Sequence, residues 1–179
     1  KKNLEKENHE QAKKYLLKCL DIKPSFEILN LLGIVYINLN EYEKSINIFK
    51  NLLKNKFFND SIHNNLGIAL KKKKNYLRAK EQFDLSLKSN PSNYISLFNL
   101  GNVFVELKRE KEAKENFKKC LRINQNYIPA LINLSAIYLN MKEFKKSKNL
   151  LLKCIELGNK SITVLENLSK IYLLTKNFK

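Results

Sequence analysis

The sequence repeats itself at a constant interval of 34 residues, which constrains the fold more than any other feature. Four segments align without gaps, and a fifth, ENLSKIYLLTKNF, stops short. The four are NLLGIVYINLNEYEKSINIF, NNLGIALKKKKNYLRAKEQF, FNLGNVFVELKREKEAKENF and INLSAIYLNMKEFKKSKNLL. Such a chain is expected to stack similar units, each burying a face of the next.

Five alignment columns keep their residue type through the repeats. The first two are Leu32, Leu66, Leu100, Leu134, Leu168 and then Gly33, Gly67, Gly101, Ser135, Ser169. A large column follows: Tyr36, Leu70, Phe104, Tyr138, Tyr172. The second half of each repeat has a small column and a large one: Ser45, Ala79, Ala113, Ser147 and Phe49, Phe83, Phe117, Leu151.

The spacing of these columns predicts two helices in each repeat, helix A and then helix B. Leu29, Leu32 and Tyr36 share one helical face, as do Ile46 and Phe49 in the second half. Only 4 Gly and 3 Pro in 179 residues leave little room for turn-rich β structure. We therefore predict helices A near 27–38, 61–72, 95–106, 129–140 and 163–174, and helices B near 43–55, 77–89, 111–123 and 145–157.

The columns resemble the tetratricopeptide repeat, whose 34 positions carry a large residue, Leu-Gly, Tyr, Ala, Phe and Pro. Two positions depart from that pattern: the final Pro is kept only as Pro91, and the usual Trp is replaced. Its replacements are Leu29, His63, Leu97, Leu131 and Leu165. The resemblance implies an all-α solenoid of helical hairpins, wound as a right-handed superhelix with a concave surface lined mainly by helices A.

The repeat frame covers the whole chain as a single solenoid fragment, 1–179. Ala12, Leu16, Cys19 and Leu20 repeat the spacing of a helix B, and Pro24 follows them. We therefore divide the chain into a half repeat with helix B only, 1–24, four full repeats, and a half repeat with helix A only, 162–179. The full repeats are 26–59, 60–93, 94–127 and 128–161.

The resemblance also implies which side chains line the concave surface. The residue before each column Leu belongs there, and this asparagine column reads Leu31, Asn65, Asn99, Asn133 and Asn167. It resembles the asparagine ladder in the repeat arm of O-GlcNAc transferase, and an amide can bond to a peptide main chain whatever the peptide's side chains. The other predicted peptide contacts are mainly apolar: Ile68, Ile95, Phe98, Asn102 and Ile132.

The net charge of +17 predicts attraction to acidic partners, including nucleic acid. Only Arg78, Arg109 and Arg122 are arginines, however, whereas proteins that grip phosphate exploit the planar fork of Arg. Nucleic acid is therefore not the expected partner. The run of four lysines, Lys71 to Lys74, falls where helix A ends and the turn to helix B begins, so we interpret it as a solvated turn. Contact with an acidic partner or a nuclear-import signal are the alternatives.

No catalytic, metal or cofactor site is expected. Cys19, Cys120 and Cys154 occupy equivalent positions on helices B, where a small residue packs, so we predict that all three are buried and unpaired. His9 and His63 have no partner constellation and are interpreted as packed side chains. We expect no enzyme activity, no membrane span and no signal peptide, and a cytoplasmic location with the nucleus as the alternative.

The sequence therefore predicts a protein-interaction scaffold that binds an extended peptide or a partner helix in its concave groove. The alternatives are an RNA-binding helical-repeat protein and the substrate-recruiting arm of a larger enzyme. Chaperone-binding members of the family clamp a carboxylate with cations, but the corresponding positions here include Ile34, Ile68, Ile95 and Pro129, so that mode is not expected. The apolar C-terminal helix predicts either further repeats or self-association through that helix.

Overall fold

A computed structural model of the protein describes residues 2–55 and 60–176, and these residues form ten α-helices. No described helix combines the length and hydrophobicity that crossing a bilayer requires. The helices are α1 (Lys2–Ile22), α2 (Phe26–Asn38), α3 (Tyr42–Lys54), α4 (Asp60–Lys72), α5 (Tyr76–Ser89), α6 (Tyr94–Glu106), α7 (Glu110–Ile123), α8 (Ile128–Asn140), α9 (Phe144–Glu156) and α10 (Ile162–Lys176).

The order of the helices confirms the predicted all-α hairpin architecture. Even-numbered helices α2 to α10 are the predicted helices A, and odd-numbered helices α3 to α9 are the predicted helices B. Every end lies within two residues of its prediction, and α1 ends two residues before Pro24. The division into full and half repeats stays a prediction.

The α2–α3 and α4–α5 hairpins are held together by the small and large columns. A Cβ atom added to Gly33 would lie 2.6 Å from the ring of Phe49, and one added to Gly67 would lie 2.6 Å from the ring of Phe83. Both rings are fully buried. The glycines are therefore required because an aromatic ring on helix B lies directly against the backbone of helix A.

The turn from helix A to helix B has the same geometry in all four hairpins. The second residue after helix A has a positive φ between 57° and 63°. The next residue donates its N–H to a carbonyl five positions back, as Glu41 does to Tyr36 and Asn75 does to Leu70, both at 2.8 to 2.9 Å. This left-handed closure of a helix normally favours glycine. Here the residues are Asn40, Lys74, Lys108 and Lys142.

The chain divides into two compact units, Lys1–Val103 and Phe104–Lys179. The first unit buries the Phe49 and Phe83 rings together with Ile62. The second has its own apolar core between α8, α9 and α10, and Ile128, Ile132 and Leu139 pack at its margin. The central residues of that core are Leu131, Leu151, Cys154, Val164, Leu168 and Ile171.

Candidate functional site

Charge is distributed very unevenly between the two helix types. The helix A sequences contain few charged residues: α8 has none, α2 has only Glu27, α6 has only Glu106, and α4 and α10 have three each. Helix α7, a helix B, instead carries eight charged residues among its 14. The high net charge therefore belongs to helices B and the turns, and the helices predicted to line the groove are nearly neutral.

In the first unit, the asparagine column is part of a hydrogen-bonded network. The Asn99 amide nitrogen donates to Oδ1 of Asn64 at 3.2 Å, and the Ser96 hydroxyl donates to the same oxygen at 3.2 Å. Asn64, Ser96 and Asn99 are all buried. The network therefore joins α4 to α6 through amide and hydroxyl groups rather than through apolar packing alone.

Both ends of the Asn99 side chain have partners inside the protein. Its amide bonds to Asn64, and its carbonyl oxygen accepts from Nζ of Lys71 at 3.0 Å. With only 6% of its surface exposed, Asn99 holds two helices together in this structure. Its use as a peptide contact stays a prediction.

Asn65 has a different environment on the same helix as Asn64. It is half-buried, and its amide nitrogen donates to Oδ1 of Asn30 on α2 at 3.2 Å. A long contact of 3.5 Å links Asn64 to Asn65. The column asparagine of α4 therefore bridges towards the preceding helix A and retains an exposed surface.

The buried network extends into the α4–α5 hairpin through two serines. Oγ of Ser86 lies 2.7 Å from Oγ of Ser96 and 2.8 Å from the carbonyl oxygen of Asp60. The three contacts Ser86–Asp60, Ser86–Ser96 and Ser96–Asn64 share only two hydroxyl protons, and either serine can donate in the contact between them. The site residues predicted from the sequence did not include Asn30, Asn64, Ser86 or Ser96. The adjacent Asn64 and Asn65 were the available signal, since neighbouring side chains on a helix point in different directions and two asparagines in a row serve different environments.

The other predicted peptide contacts of the first unit are partly accessible. Ile95 is 41% exposed, and Leu31, which heads the asparagine column, is 51% exposed. Ile68, Phe98 and Asn102 are half-buried. These side chains give the helices A of this unit a partly exposed apolar surface.

In the second unit, Asn133 on α8 and Asn167 on α10 are both half-buried. Ile132 packs at the margin of the apolar core, so only part of its side chain is available to a ligand. The roles of Asn133, Asn167 and Ile132 in binding stay predictions.

The four consecutive lysines have separate local roles. The Lys71 ammonium group is bonded to Asn99, and Lys73 forms an ion pair with Glu43. Lys74 occupies the left-handed position of the turn, and Lys72 is an exposed residue in the last turn of α4. The run therefore belongs to the closure of one hairpin.

Two of the three cysteines are buried as predicted, and the third is not. Burial raises the pKa of the Cys120 thiol to about 11 and raises that of Cys154 as well, so both remain protonated. The prediction for Cys19 is wrong: it is exposed, because no described helix lies against that side of α1. Among residues 2–55 and 60–176, no group of His, Cys, Asp and Glu has the arrangement of a metal site.

Comparison with known proteins identifies the repeat. The family profile described as tetratricopeptide repeat matches residues 3–26, 26–58, 60–93, 94–127 and 128–159. No curated protein is a significant sequence match.

Solved structures share the fold at low sequence identity. The chain is similar to a structure from a functional characterisation of Pseudomonas aeruginosa pilF. The TM-score is 0.84 and the sequence identity is 24%, and the match covers 97% of this chain and 79% of that one. It is similar to YrrB, described as a repeat protein with an unusual peptide-binding site, with a TM-score of 0.67, 19% identity, and coverage of 89% and 83%. The first repeat domain of Spaghetti (RPAP3), bound to an HSP90 peptide, gives a TM-score of 0.63, 17% identity, and coverage of 65% and 93%.

Proposed function

This chain belongs to the tetratricopeptide repeat family, and we propose that it is a protein-interaction scaffold whose helices A bind an extended peptide or a partner helix. The observation that carries this proposal is the separation of charge between helices A and helices B. An exposed apolar surface with few charges is typical of a recognition site for protein segments. The lysine-rich helices B and turns would add attraction to acidic residues flanking the bound segment.

The side chains fall into two groups in this proposal. Ile95, Ile68 and Phe98 supply apolar contacts in the first unit, while Asn65 and Asn102 supply hydrogen bonds to the peptide main chain. Ile132, Asn133 and Asn167 would do the same in the second unit. Asn99 is assigned mainly to positioning, because its hydrogen bonds to Asn64 and Lys71 fix the α4 and α6 surfaces.

Two of the similar structures support peptides as the ligand class. One is described as bound to a peptide and the other as having a peptide-binding site. The chain lacks cations at the predicted clamp positions, so we do not propose that it binds the same peptide class.

RNA binding is the second candidate, and the net charge of +17 favours it. Such binding would use the lysines of helices B and would be largely independent of the apolar residues of helices A. If the chain were the substrate-recruiting arm of a larger enzyme, it would bind the substrate with the same helix A surface.

A peptide-display selection on the chain tests the proposal. Ile95→Glu places a carboxylate on helix A at a residue that is 41% exposed. Leu85→Glu makes the same change on helix B at a residue that is 40% exposed, and it is the matched control. Neither change should affect folding, which circular dichroism would check.

We expect the unmodified chain and Leu85→Glu to bind the selected peptides equally, and Ile95→Glu to bind them roughly tenfold more weakly. Equal loss in both variants, or a selection that yields no peptides while poly(U) RNA binds, would overturn the proposal.

A further inference from the structure

Arginine is rare in this chain, so the surroundings of each arginine are informative. The chain has 34 basic residues, of which only Arg78, Arg109 and Arg122 are arginines. Arg109 has partners inside the protein, because its guanidinium pairs with Glu112 and lies over the ring of Phe104. Arg122 is exposed near the end of α7, and among the described residues no carboxylate pairs with it. Its guanidinium is therefore available to a ligand.

Arg122 lines a cavity of the second unit, formed by residues of α7, α8 and the turn between them. The cavity is open to solvent and has a volume of about 360 Å³. Its lining residues are Lys118, Leu121, Arg122, Gln125 and Leu134. Lys118 and Arg122 are one helical turn apart and therefore lie on the same side of α7. Leu134 is buried and Leu121 is half-buried, so the cavity combines an apolar lining with two cations and one amide.

Two carboxylates lie near these cations, and both have partners of their own. Glu115 lies 3.4 Å from Nζ of Lys118, a long contact between two partly exposed side chains. Glu143 accepts a hydrogen bond from Lys146, and this bond holds the pKa of Glu143 below its ordinary value. The charges of Lys114 and Lys118 act on that pKa in the same direction. None of the residues that line the cavity is acidic, so its electrostatic potential is positive.

This combination of two cations and an amide occurs once among the four full repeats. The equivalents of Lys118, Arg122 and Gln125 are Lys50, Lys54 and Phe57 in the first repeat, Asp84, Lys88 and Pro91 in the second, and Leu152, Glu156 and Asn159 in the fourth. Gln125 stands where the family pattern has its final proline, which has no N–H to donate, whereas a glutamine amide can both donate and accept. A requirement of hairpin packing would recur in every repeat. The combination therefore points to a ligand of the third repeat.

We propose that this cavity binds an acidic side chain of a partner peptide together with an aliphatic side chain beside it. The guanidinium of Arg122 can hold a carboxylate by two parallel hydrogen bonds, and Lys118 adds a second positive charge. The amide of Gln125 can donate to the same carboxylate or to the peptide main chain. Leu121 and Leu134 would contact the aliphatic neighbour, whose apolar surface leaves water on binding.

The lining of the cavity favours an acidic peptide over a nucleic acid. None of the lining residues is aromatic, so a base has no ring to stack on. A phosphodiester backbone would use the two cations but not the two leucines. The cavity belongs to the second unit, whereas the contacts proposed for Ile68, Ile95 and Phe98 belong to the first. This inference therefore goes beyond the proposed function, and each can fail without the other.

The arginines themselves provide the readout, because each gives one side-chain Nε–Hε signal in an NMR spectrum of the chain. The probe is the peptide acetyl-Gly-Leu-Glu-Leu-Gly-amide, and the same peptide with Gln in place of Glu is its control. Inorganic phosphate tests for general anion binding. We expect the Glu peptide to shift the Arg122 signal saturably and to leave the signals of Arg78 and Arg109 unchanged. The Gln peptide should bind at least roughly tenfold more weakly, because a hydrogen bond to a charged group contributes more than one to a neutral group.

Variants of α7 complete the test, with the backbone N–H signal of Gln125 as the readout. Arg122→Gln should abolish binding of the Glu peptide, and Arg122→Lys should weaken it several-fold because it keeps the charge but not the planar fork. Lys119→Gln is the matched control, since it removes the same charge from an exposed residue of α7 that does not line the cavity, and it should bind like the unmodified chain. The proposal would be overturned by equal binding of the Glu and Gln peptides, by equal shifts of all three arginine signals, by an Arg122 response to phosphate as strong as that to the Glu peptide, or by no response at millimolar peptide.

Discussion

At the scale of single residues, the hairpins depend on matched sizes in two columns. Gly67 and Phe83 are in contact without space for a methyl group, whereas Ser135 accompanies Leu151. Each of these packing positions is fully buried or nearly so. A change in one column should therefore be tolerated only when the other changes with it.

We predict that Gly67→Ala lowers the free energy of unfolding by about 1–3 kcal/mol, although alanine is the better helix former. The added Cβ would lie 2.6 Å from a ring carbon of Phe83, and a buried ring cannot move aside without cost. Urea denaturation measures the effect. Adding Phe83→Leu should recover part of the loss, and strictly additive effects of the two changes would contradict this account.

The left-handed residue of each turn is the second determinant at this scale. Lysine occupies it in three of the four hairpin turns, with φ of 63° at Lys74. A lysine side chain has a steric cost there that glycine does not have.

We predict that Lys74→Gly raises the free energy of unfolding by roughly 0.5–1 kcal/mol. The control is Lys72→Gly, two residues earlier in the last turn of α4, which should lower stability by about 1 kcal/mol. Thermal and urea unfolding of both variants provide the comparison. Destabilisation by Lys74→Gly would show that the lysine side chain contributes more than the backbone strain removes.

Residue patterns predicted the hairpin packing but not the roles of the asparagines. The Gly and Phe columns recur at fixed positions, so both partners of that contact can be read from the sequence. Asn99 is hydrogen-bonded to Asn64 and Lys71. Neither of these two positions keeps its residue type through the repeats, so the sequence pattern did not indicate the bonds. Cys19 was mispredicted because its equivalents are covered by a helix A that α1 lacks among the described residues.

At the scale of elements, α1 is attached to the first hairpin by an ion-pair cluster as well as by apolar contacts. Lys13 on α1 donates to Glu41 in the α2–α3 turn at 3.0 Å, and Lys44 donates to the same carboxylate. The hydrogen bonds from Lys44 and Lys13 hold the pKa of Glu41 below its ordinary value, and the carboxylates of Glu10 and Glu41 raise the pKa of Lys13.

The pKa of Glu41 is lowered by folding, so its contribution to stability is complete above its unfolded-state pKa and is lost as the pH falls through its folded-state pKa. We predict that Glu41→Gln lowers stability by about 0.5–1 kcal/mol at pH 7. The difference from the unmodified chain should disappear in acid. Urea unfolding at both pH values measures it, with the exposed Glu81→Gln as control. A difference that persists in acid would contradict the ion-pair account.

The bounds of the helices could be predicted closely because five columns fix the phase of each helix independently. The α4–α6 network could not, since it depends on which amides and hydroxyls approach one another once the helices have packed. Sequence periodicity gives the faces of a helix, whereas hydrogen-bond partners across helices depend on side-chain positions.

At the scale of the whole molecule, the central result is that net charge and the proposed recognition surface are carried by different helices. A net charge of +17 would by itself suggest nucleic-acid binding. Helices α2, α6 and α8 together contain only two charged residues, and α4 and α10 contain three each with charges of both signs, so recognition by helices A should depend little on salt. Recognition by helices B would depend on it strongly.

The most direct test is the salt dependence of affinity for a display-selected peptide, measured by fluorescence anisotropy from about 50 to 500 mM NaCl. Binding by helices A predicts a change of no more than roughly threefold over this range, together with sensitivity to Ile95→Glu. An affinity that falls by several orders of magnitude and ignores Ile95→Glu would place recognition on the lysine surface and contradict the account.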